Sequence, residues 1–264
     1  MNITAVEPRQ LQILKYIQSG NFPEGFPDAG IRKGRSPRDG YARGFGLGMT
    51  FLINQIEADP LYLECAALAN LRTTQMAHRR MNLYLLIRYY LPQLGAGSIV
   101  EFGSWKGGSC IFMAALCKRL GLPIRVFGLD TFKGMPQADS GIDAHQSGDF
   151  ADVDLGELRR YVTSIGMDSH LTFVDGVFDQ TCPELLFHSW PVLLSHIDCD
   201  LYESCASAYN LVRGHMAKGG YIVFDDATTP SCLGNTEAME DLVIRRDGLN
   251  AEQAWPHFVF RSGL

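Results

Sequence analysis

The chain has 264 residues, 23 Lys and Arg against 29 Asp and Glu, a formal net charge of −6 and 46% hydrophobic residues. It is too apolar to be disordered and long enough to bury a core without staples. The acidic balance disfavours a nucleic-acid partner, no run nears the ~18 apolar residues that span a bilayer, and no signal-peptide core heads the sequence.

The cysteines are Cys65, Cys110, Cys117, Cys182, Cys199, Cys205 and Cys232. Their number is odd, no C-x-x-C occurs, and most sit in apolar segments, so reduced buried thiols in a cytoplasmic protein are expected. The spacing also argues against a zinc site.

Residues 1–94 are read as an N-terminal arm and helical extension, and 95–264 as the catalytic domain. Between Asn21 and Met49 stand seven glycines and five basic residues, Arg32, Lys33, Arg35, Arg38 and Arg43, against three acids. Such a segment is neither regular helix nor strand. A surface arm is the plainer expectation, and a basic cover over an active site or a neighbouring subunit the sharper one. Residues 51–94 read as helical, with Met76, Leu83, Ile87 and Tyr90 on one face and Arg79 and Arg88 pointing elsewhere. His78-Arg79-Arg80 reads as a solvated face, or as a group reaching a substrate.

From residue 98 on, strands and helices alternate. SIVEF (98–102), IRVFGLD (124–130), LTFV (171–174), VLLSHID (192–198), YIVF (221–224) and WPHFVF (255–260) are the expected strands. Helices are expected over about 107–120 and 153–165. Another is carried by Cys205, Ala208, Tyr209, Val212 and Met216 and stopped by Gly219-Gly220. This alternation predicts an α/β fold with a doubly wound, mostly parallel sheet.

Ligands of such sheets bind beyond the carboxyl ends of the strands. Glu101-Phe102-Gly103-Ser104-Trp105-Lys106-Gly107-Gly108 sits at one such end. Its glycines suit a tight turn and close backbone approach, but their spacing is not that of a dinucleotide-binding G-x-G-x-x-G. Glu101 would repel a phosphate and favour an ammonium. Asp130, ending the next strand, can accept from a ribose diol. The pair describes a nucleoside with a cationic amino-acid tail, S-adenosylmethionine. Asp175-Gly176 after the third strand is placed for adenine, or is an ordinary turn. Asp198 and Asp200 end one strand, and Asp225-Asp226 the following one. Four carboxylates at one edge raise one another's pKa or recruit a hard cation such as Mg²⁺. As separate pairs they read equally as helix and loop caps.

VEFGSWKGGS (100–109), GLDTFKGMP (128–136), HIDCDLYES (196–204) and GGYIVFDD (219–226) together resemble the macrocin O-methyltransferase family. These are class I, Rossmann-like S-adenosylmethionine enzymes that methylate sugar hydroxyls, many on antibiotics. The resemblance covers about half of the chain, from Ser98 to Asp226. It implies cofactor contacts from Glu101, Gly103 and Asp130, to which Ser104, Gly107, Thr131, Asp175 and Gly176 are added as neighbours. It implies a divalent metal, Mg²⁺ or a similar hard cation, on Asp198, Asp225 and Asp226, with Asp200 as general base. The pattern is also similar to catechol O-methyltransferases, but their lysine base has no counterpart here, which leaves Asp200, Glu203 or a histidine. A saccharide or other small-molecule acceptor and a homo-oligomer are expected. The same chemistry on a non-sugar hydroxyl is the alternative, followed by a non-catalytic binding protein of this fold.

Overall fold

A computed structural model describes residues 47–48, 50–181 and 190–263. The glycine-rich arm therefore lies, except for Leu47 and Gly48, outside the described residues. Two compact units divide the chain, Met1–Asp59 and Pro60–Leu264. The first contributes one described helix, α1 (Thr50–Glu57).

The second unit is built on strands β1 (Gly97–Phe102), β2 (Ile124–Asp130), β3 (Leu171–Asp175), β4 (Val192–Ile197), β5 (Met216–Phe224), β6 (Ala251–Gln253) and β7 (Phe258–Arg261). They form one sheet in the order β3-β2-β1-β4-β5-β7-β6. The first five pair in parallel, and β7 is antiparallel to both its neighbours. Every residue of β1 and β4 is buried. Helices on both faces of a parallel sheet require this, and it is why these strands read as unbroken apolar runs.

Helices of this unit are α2 (Pro60–Leu68), α3 (Ala77–Leu85), α4 (Gly108–Arg119), α5 (Leu155–Ser164), α6 (Phe178–Thr181), α7 (Tyr202–Val212) and α8 (Leu233–Ala238). α3 runs on through a π-helical turn, Leu86–Tyr90, and α8 through Met239–Arg246. α4 is buried at every position from Gly108 to Cys117. Such a helix is covered on all sides. Tyr62 of α2 provides part of the cover, its ring edge-on to Phe112 at 5.7 Å and to Tyr84 at 5.6 Å. The compact unit thus begins at Pro60 and includes the helices of residues 60–94.

Three expectations are corrected. The helix expected to run to Met216 ends at Val212, and Gly219-Gly220 lie inside β5. Gly219 adopts φ 80°, and the β4–β5 register jumps from Val192↔Met216 to Leu194↔Tyr221, so the glycines make an irregularity in a strand rather than a helix stop. The last strand begins at Phe258, not Trp255, and the preceding His257 is wholly buried. On α3, Leu83, Ile87 and Tyr90 are buried as expected, but Met76 is 62% exposed and Arg79 only 6%. Arg79 is not on a solvated face, because its partners lie inside.

Candidate active site

Strand order reverses between β1 and β4, and there the sheet opens into a cavity of about 680 Å³. That is the topological switch point at which open α/β sheets bind ligands. The parallel strands end nearly level, with Phe102 opposite Leu129 and Ile197, and Ile197 opposite Phe224. The residues that follow each strand therefore converge. Gly103, Ser104, Asp130, Thr131, Asp198, Asp200 and Asp226 line this cavity. Gly103 has φ 87°, and a Cβ there would stand 2.0 Å from the Asp198 carbonyl oxygen. Only glycine lets the turn after β1 pass so close to the turn after β4.

Asp130 accepts hydrogen bonds from the backbone N–H groups of Ser104 and Trp105 on Oδ2, each at 2.8 Å, and from Phe132 on Oδ1 at 2.7 Å. Its carboxylate thereby holds the glycine turn, and Oδ1, with one backbone donor, keeps lone-pair capacity. Glu101 is elsewhere. It is fully buried, accepts from the Cys110 thiol on Oε2 and faces His196 Nδ1 at 2.8 Å. Gly107, Asp175 and Gly176 do not reach the cavity either, and the chain after β3 contributes Val177 and Phe178 instead.

The aspartates converge as the strand ends suggest. Asp198, Asp225 and Asp226 each offer a carboxylate oxygen within 4.8 Å of the others. Asp225 is held from several directions: Gln75 donates Nε2 at 2.6 Å, Arg79 donates Nη1 at 2.5 Å, and the Nε2 atoms of His196 and His257 lie at 3.0 and 2.7 Å. Arg79 Nη1 also donates to Asp226 Oδ1 at 2.5 Å, so one guanidinium bridges the two neighbouring carboxylates.

Burial disfavours charge on His196, but its hydrogen bonds to Asp225 and Glu101 outweigh this and raise the imidazole to about 9. Burial wins at His257, whose pKa is lowered. The neutral ring then donates from Nε2 to Asp225 and accepts on Nδ1 from Asn82 Nδ2 at 3.0 Å. Asp225 is held well below the usual carboxylate range: burial opposes the charge, while His257 and His196 favour it.

Asp198 is driven well above that range, first by burial and then by Asp225 and Asp226. Burial, followed by Asp226, pushes Asp200 up to about 7. Asp200 lies past the end of β4 in a left-handed conformation, φ 56°, which costs a non-glycine residue about 1–3 kcal/mol. The Asn235 N–H donates to its carbonyl at 3.1 Å, and the Cys232 thiol donates to its Oδ1 at 3.0 Å.

The donor set fits a hard divalent cation. Asp198, Asp200, Asp225, Asp226 and Glu101 are grouped, with Arg79 and His196 among their cationic partners. Burial first, and then the neighbouring carboxylates, raise Asp198 and Asp200, and a dication would offset the mutual repulsion of these carboxylates. Gln75 adds a buried Oε1 with no hydrogen-bond partner among the described residues.

Gln75, His196 and His257 were not among the residues expected at the site, and Arg79, expected on a solvated face or reaching a substrate, bridges Asp225 and Asp226 instead. A histidine within the fully buried β4 was the available signal, since a buried imidazole needs partners.

The sequence signature of the macrocin-O-methyltransferase (TylF) family matches residues 69–246, more than half of the chain. The chain belongs to this family. The match to the macrocin-O-methyltransferase signature reaches back beyond Ser98 and takes in Gln75 and Arg79. A Streptomyces olivaceus 8-demethyl-8-(2,3-dimethoxy-alpha-L-rhamnosyl)-tetracenomycin-C 4'-O-methyltransferase is 30% identical over 160 residues, covering 57% of this chain and 60% of that protein. Mycinamicin III 3''-O-methyltransferase of Micromonospora griseorubida is 28% identical over 147 residues, covering 52% of this chain and 57% of the relative. The matched part is thus less than two thirds of either relative's length.

Among solved structures, the O-methyltransferase NovP matches with a TM-score of 0.59 at 22% identity, over 70% of this chain and 80% of that one. CalS11, a calicheamicin methyltransferase, matches with 0.54 at 24% identity, over 78% and 94%. These likenesses are of fold, the Rossmann-like sheet of class I methyltransferases. No described helix is long and apolar enough to cross a membrane.

Proposed function

We propose that this protein is an S-adenosylmethionine-dependent, divalent-metal-dependent O-methyltransferase acting on a hydroxyl of a sugar, as part of a glycosylated natural product or saccharide. The observation that carries the reading is the convergence of Asp198, Asp225 and Asp226 to within 4.8 Å of one another beside a switch-point cavity lined by Asp198, Asp226, Asp130 and Asp200. One named relative is the O-methyltransferase of a rhamnosyl-bearing tetracenomycin, which supports the acceptor class.

In this reading Gly103, Ser104 and Asp130 cradle the methyl donor, with Thr131 beside them and the apolar Val177 offered to its adenine. Glu101 acts from behind, through His196, rather than by touching the donor. Asp198, Asp225 and Asp226 would hold the cation, which would supply Lewis-acid stabilisation of the acceptor oxygen as its proton departs. Asp200, on the same cavity, takes that proton. The remaining contribution of the protein is alignment of acceptor oxygen and methyl group in a site screened from water. A homo-oligomer in the cytoplasm belongs to the same reading, and the free thiols of Cys110, Cys117, Cys199, Cys205 and Cys232 suit a reducing compartment.

Transfer of labelled methyl from S-adenosylmethionine to a panel of free sugars, glycosidically linked sugars and catechols, with Mg²⁺ and with chelator, tests the proposal. Label in a sugar product that disappears with chelator supports it. Label transfer that ignores chelator removes the metal, and label found only on catechols removes the sugar.

A further inference from the structure

We propose that Cys232, His145 and Asp200 form a second cation site, of different ligand chemistry, that takes Zn²⁺ and thereby covers the carboxylate assigned as the base. The donors come from three distant segments: the loop after β2, the turn after β4 and the residue before α8. Cys232 Sγ lies 3.0 Å from Asp200 Oδ1 and 3.8 Å from His145 Nε2, and all three donors lie within 4.8 Å of one another.

Around a tetrahedral zinc with bonds of about 2.0–2.3 Å, neighbouring donors stand roughly 3.3–3.6 Å apart. The two Sγ distances, 3.0 and 3.8 Å, bracket that range, and His145 and Asp200 start within 4.8 Å of each other, so side-chain torsions are enough to close the cluster around an ion. An orienting partner is also in place. His145 Nδ1 faces Asp149 Oδ2 at 3.3 Å, and Asp149 Oδ2 also accepts from the Gln146 N–H at 3.0 Å. A carboxylate on Nδ1 fixes the tautomer whose Nε2 lone pair is free for a metal, the arrangement that accompanies most zinc-bound histidines.

A nitrogen, a thiol sulfur and a carboxylate oxygen select zinc over Mg²⁺, whereas the all-oxygen trio of Asp198, Asp225 and Asp226 selects the reverse. All three donors line the cavity, so the fourth coordination position opens into it. Binding releases the Cys232 thiol proton to solvent and replaces the Sγ–H···Oδ1 hydrogen bond with two metal bonds. The sequence hides this site because its ligands have no zinc-motif spacing: His145 and Cys232 are 87 residues apart.

Binding itself does not rest on the functional reading. The consequence, loss of methyl transfer by occupying Asp200, does. The test titrates the metal-free full-length protein with Co²⁺ in excess Mg²⁺ and follows absorption. A thiolate-to-cobalt charge-transfer band with visible bands of a four-coordinate site, saturating at one per chain and bleached by Zn²⁺, is expected. Cys232→Ser should abolish the band. Asp149→Asn, which leaves all three donors intact, should weaken Co²⁺ binding about 10- to 100-fold. Far-ultraviolet circular dichroism confirms that each variant is folded. No band in the parent, or an undiminished band in folded Cys232→Ser, overturns the site. A band that behaves as expected while Zn²⁺ leaves methyl transfer untouched keeps the site and removes Asp200 as the base.

Discussion

Arg79 illustrates how much a single side chain carries. Its guanidinium is the counter-charge between Asp225 and Asp226, with both partners largely buried. Breaking a buried pair from one side strands the other charge, at a cost of about 3–5 kcal/mol. Arg79→Met is therefore expected to lower the urea midpoint by that equivalent, and Mg²⁺ is expected to restore more stability to the variant than it adds to the parent. Equal midpoints, or equal responses to Mg²⁺, would show that Arg79 is not the counter-charge. His196 gives a second residue-scale prediction. Its folded pKa of about 9 lies above the ordinary value of 6.5. A raised pKa gives stability that is complete below the unfolded value and lost as pH rises through the folded one. That difference corresponds to roughly 3 kcal/mol. Melting temperature should fall as pH rises from about 6.5 to about 9, most steeply midway between these two values and levelling off above 9, and the same region should flatten in His196→Gln. A parent profile level across that range contradicts a charged His196.

At the scale of elements, the loop after β2 is tied to the segments on either side of the cavity. Met135 N–H donates to the Asp149 carbonyl at 2.8 Å and Gly148 N–H to the Met135 carbonyl at 2.9 Å, so its ends are tied together. Asp143 Oδ1 accepts from the Tyr202 N–H at 2.9 Å, satisfying an otherwise orphaned donor in the first turn of α7. On the near side Trp105 and Lys106 of the glycine turn both donate to Asp152, at 2.8 and 2.6 Å. Gln137, His145 and Phe150 face the cavity from this segment. Held at its ends and carrying mostly exposed residues, it is suited to order on ligand binding. Cleavage within residues 137–149 in limited proteolysis should slow on addition of S-adenosylmethionine. Equal rates with and without it would make the segment a passive loop.

Across the whole molecule, legibility in the sequence followed burial. β1 and β4 are covered on both faces and so appear as continuous apolar strings, and the acids after them stand out against those strings. The strand ends therefore gave Asp130, Asp198, Asp200, Asp225 and Asp226 directly. β6, only three residues long, leaves no such pattern. A glycine pair is ambiguous between a helix stop and a strand irregularity, and Gly219-Gly220 was of the second kind. Partners far apart in sequence were beyond local reading: Arg79 finds Asp225 across 146 residues, and its placement on α3 is indistinguishable from that of a surface arginine until the sheet is assembled. For the same reason Glu101 reads as a cavity residue beside its glycine turn, although His196 and Cys110 draw it inward. The central claim is a metal held by Asp198, Asp225 and Asp226 next to a base, Asp200, that does not hold it. Calorimetric titration with Mg²⁺ of the parent, Asp198→Asn and Asp200→Asn tests it most directly. The account predicts that Asp198→Asn loses most of the binding while Asp200→Asn retains it and transfers methyl about 10²–10⁴-fold more slowly. Retention in Asp198→Asn with loss in Asp200→Asn, or no Mg²⁺ binding by the parent, would contradict it.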